Sequence, residues 1–135
     1  MQLMEETHSL TAAKSDKARM TDNAQTRVVV ALSGGVDSAV AAGLLLREGF
    51  TVYGVTLQLW RDAALPPSDV VENAVAVADA LRIPLHVVDL RERFYEQVVE
   101  AFADAYARGE TPNPCVTCNP TIKFAALLEE ADRIG

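Results

Sequence analysis

Residues 33–38, Ser-Gly-Gly-Val-Asp-Ser, have the composition of a phosphate-binding loop. Glycines let a backbone approach an anion closely, and the start of a helix offers free N–H groups at the positive end of its dipole. Ser33 and Ser38 add hydroxyl donors, and Asp37 could bind Mg²⁺ or orient phosphates. The segment has neither the Gly-Lys-Ser/Thr of a Walker A loop nor the spacing G-x-G-x-x-G. It therefore predicts a phosphate site of another class, and the alternative is a tight turn that merely uses glycine.

The two cysteines of the chain, Cys115 and Cys118, form a C-x-x-C pair. Such a pair without further cysteines is a poor disulfide framework and favours a reducing compartment, where thiols react or bind metal. Cys118 precedes a predicted helix beginning about Asn119, whose N-terminus would stabilise a thiolate, and Lys123 could add positive charge. The pattern makes Cys118 a candidate nucleophile. A small buried apolar residue and half of a four-ligand metal site remain alternatives.

The elements that must position these groups alternate between strand and helix. The run RVVVAL is typical of a strand buried on both faces. Strands are predicted at 27–32, 50–59 and 85–90, and helices at 36–48, 68–83, 91–108 and from 119 onward. This order predicts an open α/β fold with a parallel sheet, helices on both faces and right-handed crossovers.

The chain is predicted to hold one domain and a tail. Residues 1–26 are polar and predict a disordered tail, and residues 27–135 predict the domain. Open α/β sheets usually have five or six strands, whereas only three are predicted here. We therefore expect the domain to be incomplete after three strands and the chain to be the front part of a longer one.

Composition excludes several classes of protein. The 135 residues are 50% hydrophobic and 23% charged, which is typical of a folded globular chain. Twelve Lys and Arg against 19 Asp and Glu give a net charge of −7, which argues against binding nucleic acid through a basic surface of its own. No apolar run approaches the length of a membrane span, so no membrane partner is predicted.

Two motifs resemble known families. The loop at 33–38 resembles the PP-loop of ATP pyrophosphatases, of the adenine nucleotide alpha hydrolase fold, which cleave ATP between the α and β phosphates and adenylate a substrate oxygen. Residues 111–124, with the pattern T-P-N-P-x-x-x-C-N-x-x-I-K-F, resemble the signature of the tRNA-specific 2-thiouridylases, the MnmA family. The strand G-V-T-L-Q-L-W at 54–60 is similar too. The resemblance runs from about Arg27 to residue 135.

The resemblance implies a function and a set of roles. It implies ATP-dependent sulfur transfer to C2 of the wobble uridine of tRNA, through adenylation and a cysteine persulfide. Cys118 takes the role of catalytic nucleophile, and Leu57 falls near the adenine. The other implied contacts are ATP binding by Ser33, Gly34, Gly35, Val36, Asp37 and Ser38, and target-base binding by Asn113, Pro114 and Cys115.

The same resemblance implies ligands, partners and a location. The cofactors are ATP and Mg²⁺, and the partners are tRNA and a persulfide sulfur donor protein in the cytoplasm. Cys115 could form a disulfide with Cys118 or help to hold an iron–sulfur cluster.

Three other functions stay open at this point. One is a truncated, non-catalytic ATP-binding remnant, which would bind ATP without tRNA-dependent pyrophosphate release. Another PP-loop ATP pyrophosphatase, such as an amide-forming synthetase, would use a small-molecule acceptor. A metal-binding C-x-x-C module would carry stoichiometric zinc or iron.

Overall fold

In the part of the chain that the structure describes, three parallel strands form a sheet, and helices cover both of its faces. The computed structural model describes residues 22–59, 70–113 and 119–135. The strands are β1 (Arg27–Ala31), β2 (Thr51–Gln58) and β3 (Leu85–Asp89). The helices are α1 (Val36–Arg47), α2 (Val70–Leu81), α3 (residues 91–107) and α4 (residues 119–134).

The strand order in the described part of the chain is β1-β2-β3, and both pairings are parallel. Arg27 pairs with Thr51 in the first ladder, and Gly54 pairs with Leu85 in the second. Parallel neighbours need a crossover between them, and α1 and α2 supply the two crossovers. The predicted parallel α/β architecture is thus confirmed.

One face of the sheet packs against α1 and α2. Leu32 and Val52 lie in the same buried cluster as Ala42 of α1 and Ala78 of α2. Ala42 is completely buried, and alanine at these helix positions lets the helices approach the strands closely. This layer brings the N-terminal halves of both helices to the edge where the strands end.

The opposite face packs against α3 and α4. Its buried cluster contains Leu90, Val98 of α3, and Ile122 and Ala126 of α4. Leu57 of β2 packs against this cluster, and because side chains alternate along a strand, it points away from the face that holds Val52. Helices therefore cover both faces of the sheet, and β2 is largely buried between them. The prediction that the strand at 27–32 is buried on both faces is wrong, because β1 lies at the edge of the described sheet and is only half-buried.

Two of the helices contain π-helical turns. In α3, the α-helical segments Arg91–Phe94 and Glu100–Ala107 flank a π-helical segment at Tyr95–Val99. In α4, Asn119–Phe124 is π-helical and Ala125–Ile134 is α-helical. The sequence predicts regular helices here. A π turn widens the helix locally, and such turns are frequent at functional sites.

A residue in the left-handed conformation ends each of the helices α1, α2 and α3. Gly49 after α1 and Gly109 after α3 have φ angles of 89° and 79°, the left-handed conformation that glycine commonly adopts after a helix. After α2, the same position is taken by Arg82, with φ 55°. The Ile83 N–H donates to Ala78 O at 3.0 Å, the long bond that closes such a helix end.

Replacing Arg82 with glycine is expected to stabilise the fold. A side chain in the left-handed region destabilises the folded state by about 1 kcal/mol, and glycine removes this strain. Part of the gain is offset because glycine has more conformational freedom in the unfolded chain. We expect the melting temperature to rise by about 3 °C. The matched control is Glu48→Gly, since Glu48 is right-handed at φ −75°, and there a fall is expected. Equal shifts for both variants would contradict the argument.

The residues before β1 are partly described. Asn23 Nδ2 donates to Glu48 O at 2.8 Å, and Thr51 Oγ1 donates to Ala24 O at 2.9 Å. Residues 1–21 lie outside the described part, so the predicted tail stays a prediction. Among the described helices, none is long and apolar enough to cross a membrane.

Candidate functional site

The segment 33–38 links the end of β1 to the first turn of α1, at the carboxyl edge of the sheet. Leu32, 2% exposed, anchors it in the core below. Gly34 has φ 77°, a conformation that favours glycine, and Gly35 is the extended residue before the helix, with φ −83° and ψ 168°. The predicted order of strand, loop and helix is therefore present. The first N–H groups of α1 consequently face the loop.

Gly34 sits against the first turns of α2. A Cβ atom added to Gly34 would collide with Cβ of Asn73 and would lie 3.2 Å from the backbone nitrogen of Ala74. Only a residue without a side chain allows α2 to come this close to the loop. The loop is thus a backbone cradle between two helices, and this closeness suits an extended polyphosphate better than a bulky apolar ligand.

The polar groups of the loop hydrogen-bond mainly to one another, and their bonds are long. Ser33 N–H donates to Ser38 Oγ at 3.4 Å, and Gly35 N–H donates to Ser33 Oγ at 3.4 Å. Ser38 Oγ donates to Gly35 O at 3.3 Å. These distances exceed the 2.7–3.2 Å of ordinary N–H···O bonds. Phosphate oxygens could therefore replace them at little cost.

Asp37 and Val36 begin α1, and both are exposed at the mouth of the loop. A carboxylate here can hold Mg²⁺, because that ion usually binds through one or two carboxylates together with phosphate oxygens and water. Within residues 22–59, 70–113 and 119–135, no group of three His, Cys, Asp or Glu side chains could hold a metal by itself. Asp37 thus fits a metal that arrives with its phosphates.

The second candidate region is described only at its borders. Pro114, Cys115 and Cys118 lie outside the described residues, so their proposed roles remain predictions. Asn113 is described and exposed. The helix expected near Asn119 is present, beginning with its π-helical segment.

The anchor of this helix is Ile122, which is completely buried against Leu90, Val98 and Ala126. Lys123 follows it and is half-buried. Leu57, expected near an adenine, is half-buried and packs toward the same cluster, on the opposite face of the sheet from Gly34's neighbour α2. Its role stays a prediction.

A buried carboxylate joins α4 to β3. His86 Nδ1 lies 2.7 Å from Glu130 Oε1, and Arg133 Nη1 lies 3.0 Å from Glu130 Oε2. The Glu130 side chain is only 6% exposed, so these two partners compensate its desolvation. His86 is thus a strand residue paired with a carboxylate. Glu130 was not singled out in the sequence, because nothing in its helical spacing distinguishes it from the exposed acids around it.

At the end of β3, Asp89 opens helix α3. Its Oδ1 accepts hydrogen bonds from the Arg91 side-chain Nε at 2.9 Å and from the Arg91 backbone N–H at 3.1 Å. These bonds lower the pKa of Asp89 to about 2 and raise the pKa of Arg91. The pair is exposed, so it fixes the direction of the helix start more than it stabilises the fold.

Two further residues near the loop carry no sequence signal. Asn73 is one, because only the fold brings it against Gly34. The other is Thr56, which is 1% exposed and whose hydroxyl has no hydrogen-bond partner in the described part of the chain. A threonine in a strand is ordinary, and a single buried hydroxyl leaves no periodic pattern.

Comparison with known proteins gives matches over most of the chain. The family model described as "tRNA methyl transferase HUP domain" matches residues 26–135. The tRNA-specific 2-thiouridylase MnmA of Bartonella bacilliformis is 54% identical over 117 residues, covering 82% of this chain and 30% of that protein. MnmA of Azorhizobium caulinodans is 54% identical over 122 residues, covering 85% and 31%. The chain thus spans about a third of the length of these relatives.

Solved structures share the fold. NMN synthetase from Francisella tularensis matches with a TM-score of 0.55 and 21% identity, covering 87% of this chain and 45% of that one. The NH3-dependent NAD synthetase from Campylobacter jejuni matches with a TM-score of 0.51 and 17% identity, covering 88% and 52%. At these identities the likeness concerns the arrangement of strands and helices alone.

Proposed function

This chain belongs to the tRNA methyl transferase HUP domain family, together with the tRNA-specific 2-thiouridylases to which it is similar, and from that premise we propose that it is the ATP-binding part of an enzyme that transfers sulfur to tRNA. The acceptor is C2 of the wobble uridine. The proposed activity is that of whole proteins about three times as long as this chain. This chain would contribute the site at which ATP activates the uridine.

The observation that carries the proposal is the glycine cradle at residues 33–38. Gly34 brings the loop against α2, and the N-terminus of α1 presents its free N–H groups to the same space. Ser33 and Ser38 supply hydroxyls whose present hydrogen bonds are long. Such a site binds phosphates through backbone and hydroxyl donors, without the lysine of Walker A loops.

In the proposed reaction, the cradle holds the β and γ phosphates of ATP while the uridine oxygen attacks the α phosphate. A bond forms between that oxygen and phosphorus, and pyrophosphate leaves with the electrons of the broken bond. The donors around residues 33–38 stabilise the negative charge that gathers on the leaving group. Asp37 would hold Mg²⁺, which supplies further neutralisation of this charge.

The second half of the reaction is assigned to the cysteine region. In the proposed step, the outer sulfur of the donor protein's cysteine persulfide attacks C2 and AMP leaves. Cys118, immediately before α4, is the proposed nucleophile that then attacks the donor's cysteine sulfur: the S–S bond breaks, 2-thiouridine is released, and a disulfide forms between Cys118 and the donor cysteine. Asn113, Pro114 and Cys115 are proposed to contact the target base, and Leu57 the adenine. A thiolate is favoured before a helix N-terminus, and a reducing cytoplasm keeps it available.

The proposed partners follow from the charge of the chain. With a net charge of −7, the chain carries too few bases to bind tRNA by counterion release alone. We therefore propose that most of the tRNA contact is made by other parts of a longer protein, and that a separate persulfide protein delivers the sulfur. An iron–sulfur cluster is not needed for this chemistry.

A thermal melt with Mg-ATP tests the first part of the proposal. A ligand that binds only the folded state stabilises it by about 2.7 kcal/mol at one hundred times its Kd. For a domain of this size, the melting temperature should rise by about 10 °C. GTP at the same concentration should give a much smaller rise.

The variant Ser38→Ala separates specific binding from a general salt effect. It removes a hydroxyl donor from the loop while leaving the helix start in place, so the shift with Mg-ATP should fall to about half. Sodium chloride at matched ionic strength serves as the salt control. If ATP, GTP and sodium chloride raise the melting temperature equally, the nucleotide site as proposed is wrong.

A further inference from the structure

The hydroxyl of Thr56 is buried without a hydrogen-bond partner in the described part of the chain. The residue is 1% exposed, and its Oγ1 is closed off from solvent. Leaving such a group unpaired destabilises a folded protein, and most buried polar groups are paired for that reason. A threonine that is unpaired in one state of a protein is therefore a candidate for pairing in another.

The position of Thr56 lies beside the phosphate loop. Leu32 N–H donates to Val55 O at 2.8 Å, which continues the ladder one step beyond the pair Ala31–Val55. Thr56 is consequently level with Leu32, the residue that precedes the loop. At Gly54, two residues earlier on the same face of β2, an added Cβ would lie 2.7 Å from Leu32 Cδ1, so this face of β2 is turned toward Leu32. The Thr56 side chain thus shares the α1 and α2 face with Leu32.

The same face carries the base of the cradle. Ala74 of α2 is completely buried, and its backbone nitrogen is near Gly34. The peptide groups of residues 33–35 follow directly after Leu32, so they are the backbone polar groups at the level of Thr56. Their own hydrogen bonds are long, and Gly34 has no side chain to prevent its peptides from turning.

We propose that Thr56 is a positioning residue for the phosphate loop, whose hydroxyl gains a hydrogen bond to a peptide group of residues 33–35 when the loop closes on ATP. The inference rests on the proposed function, because it needs nucleotide at this site. Thr56 does not touch the nucleotide itself, since its hydroxyl is closed off from solvent behind the loop. It would favour the bound form of the loop at the expense of the free form.

The test is Thr56→Val, measured by melting without ligand and by calorimetric titration with Mg-ATP. Valine has the same shape without the hydroxyl, so the unliganded variant should melt about 4 °C higher. Its Kd for ATP should rise about fivefold, the effect of one net hydrogen bond. A stabilised variant with weaker binding is the combination that a purely structural threonine does not produce.

Two controls keep the result decisive. Thr51→Val removes a hydroxyl from the same strand, but one that donates to Ala24 O, so its Kd should be unchanged. Thr56→Ser keeps the hydroxyl and loses a methyl group, so it should melt lower and bind ATP like the wild type. If the wild type binds ATP and Thr56→Val binds it equally well, the inference about Thr56 is overturned and the proposed function stands. If the wild type does not bind ATP, the proposed function has failed with it.

Discussion

Replacing Gly34 with alanine should lower the melting temperature by about 12 °C and abolish ATP binding. Two penalties combine at this residue. With a φ of 77°, any side chain at this position costs about 1–2 kcal/mol. The added Cβ also collides with Cβ of Asn73, and because Asn73 lies on a packed helix, it cannot easily move away. Together they amount to about 3 kcal/mol, which gives the expected shift for a domain of this size. Circular dichroism melts and ATP titrations measure both effects.

The matched control is Gly35→Ala, one residue further along the loop. Gly35 has φ −83°, and its added Cβ would meet only the Ser33 hydroxyl oxygen, at 3.3 Å. The melting temperature should fall by less than 4 °C. The double variant Gly34→Ala with Asn73→Gly should recover part of the loss, as a coupling in a double-mutant cycle. A Gly34→Ala protein that melts like the wild type would show that α2 does not rest on the loop as described.

Replacing Cys118 with serine should reduce sulfur incorporation into tRNA at least a thousandfold while leaving the Mg-ATP melting shift unchanged. A serine hydroxyl is hardly ionised at neutral pH and cannot break the S–S bond of the donor's persulfide, whereas a thiol before a helix N-terminus is partly ionised. The assay supplies tRNA, Mg-ATP and a persulfide donor, and it detects 2-thiouridine by mass spectrometry. Unchanged ATP binding shows that the serine variant is folded.

Cys115→Ser is the control for this experiment and separates the remaining functions. It should retain activity if Cys115 only contacts the base, and it should match Cys118→Ser if the two thiols act as a pair. A wild-type protein that includes the tRNA-binding parts, and that binds ATP but forms no thiouridine, would favour a non-catalytic remnant. Pyrophosphate release with a small acceptor and no tRNA would favour another PP-loop enzyme. Stoichiometric zinc or iron lost in both variants would favour a metal module.

Much of the fold could be predicted because local rules decide it. The β-branched run at 27–32 predicts a strand, which is present at Arg27–Ala31, although it is half-buried at the edge of the described sheet and not buried on both faces. A glycine directly after a helical run, here Gly49, predicts a left-handed helix end, which the structure has. The phosphate loop was recognisable because glycines, hydroxyls and an acid occur together between a strand and a helix. In each case the controlling residues are neighbours in sequence.

The remaining features depend on contacts between residues far apart in sequence. The approach of Asn73 to Gly34 and the pairing of His86 with Glu130 follow only from how the helices pack. The π-helical turn at Tyr95–Val99 inserts a residue into the helical repeat, and propensity scales carry no signal for it. Thr56 could not be singled out from the sequence, because its one unusual property, a buried hydroxyl without a hydrogen-bond partner in the described part of the chain, arises only in the folded structure.

The order of the sheet also bears on how the chain assembles. Each strand pairs with the next one in sequence, so every closure of the sheet spans a single helix and its loops. Such short closures cost little chain entropy, and they can form successively from the amino end as a ribosome releases the polypeptide. One contact cannot form early, because the Arg27 guanidinium donates to Ile134 O at 2.7 Å. The first strand is thus tied to α4 through its Arg27 side chain only when that helix docks.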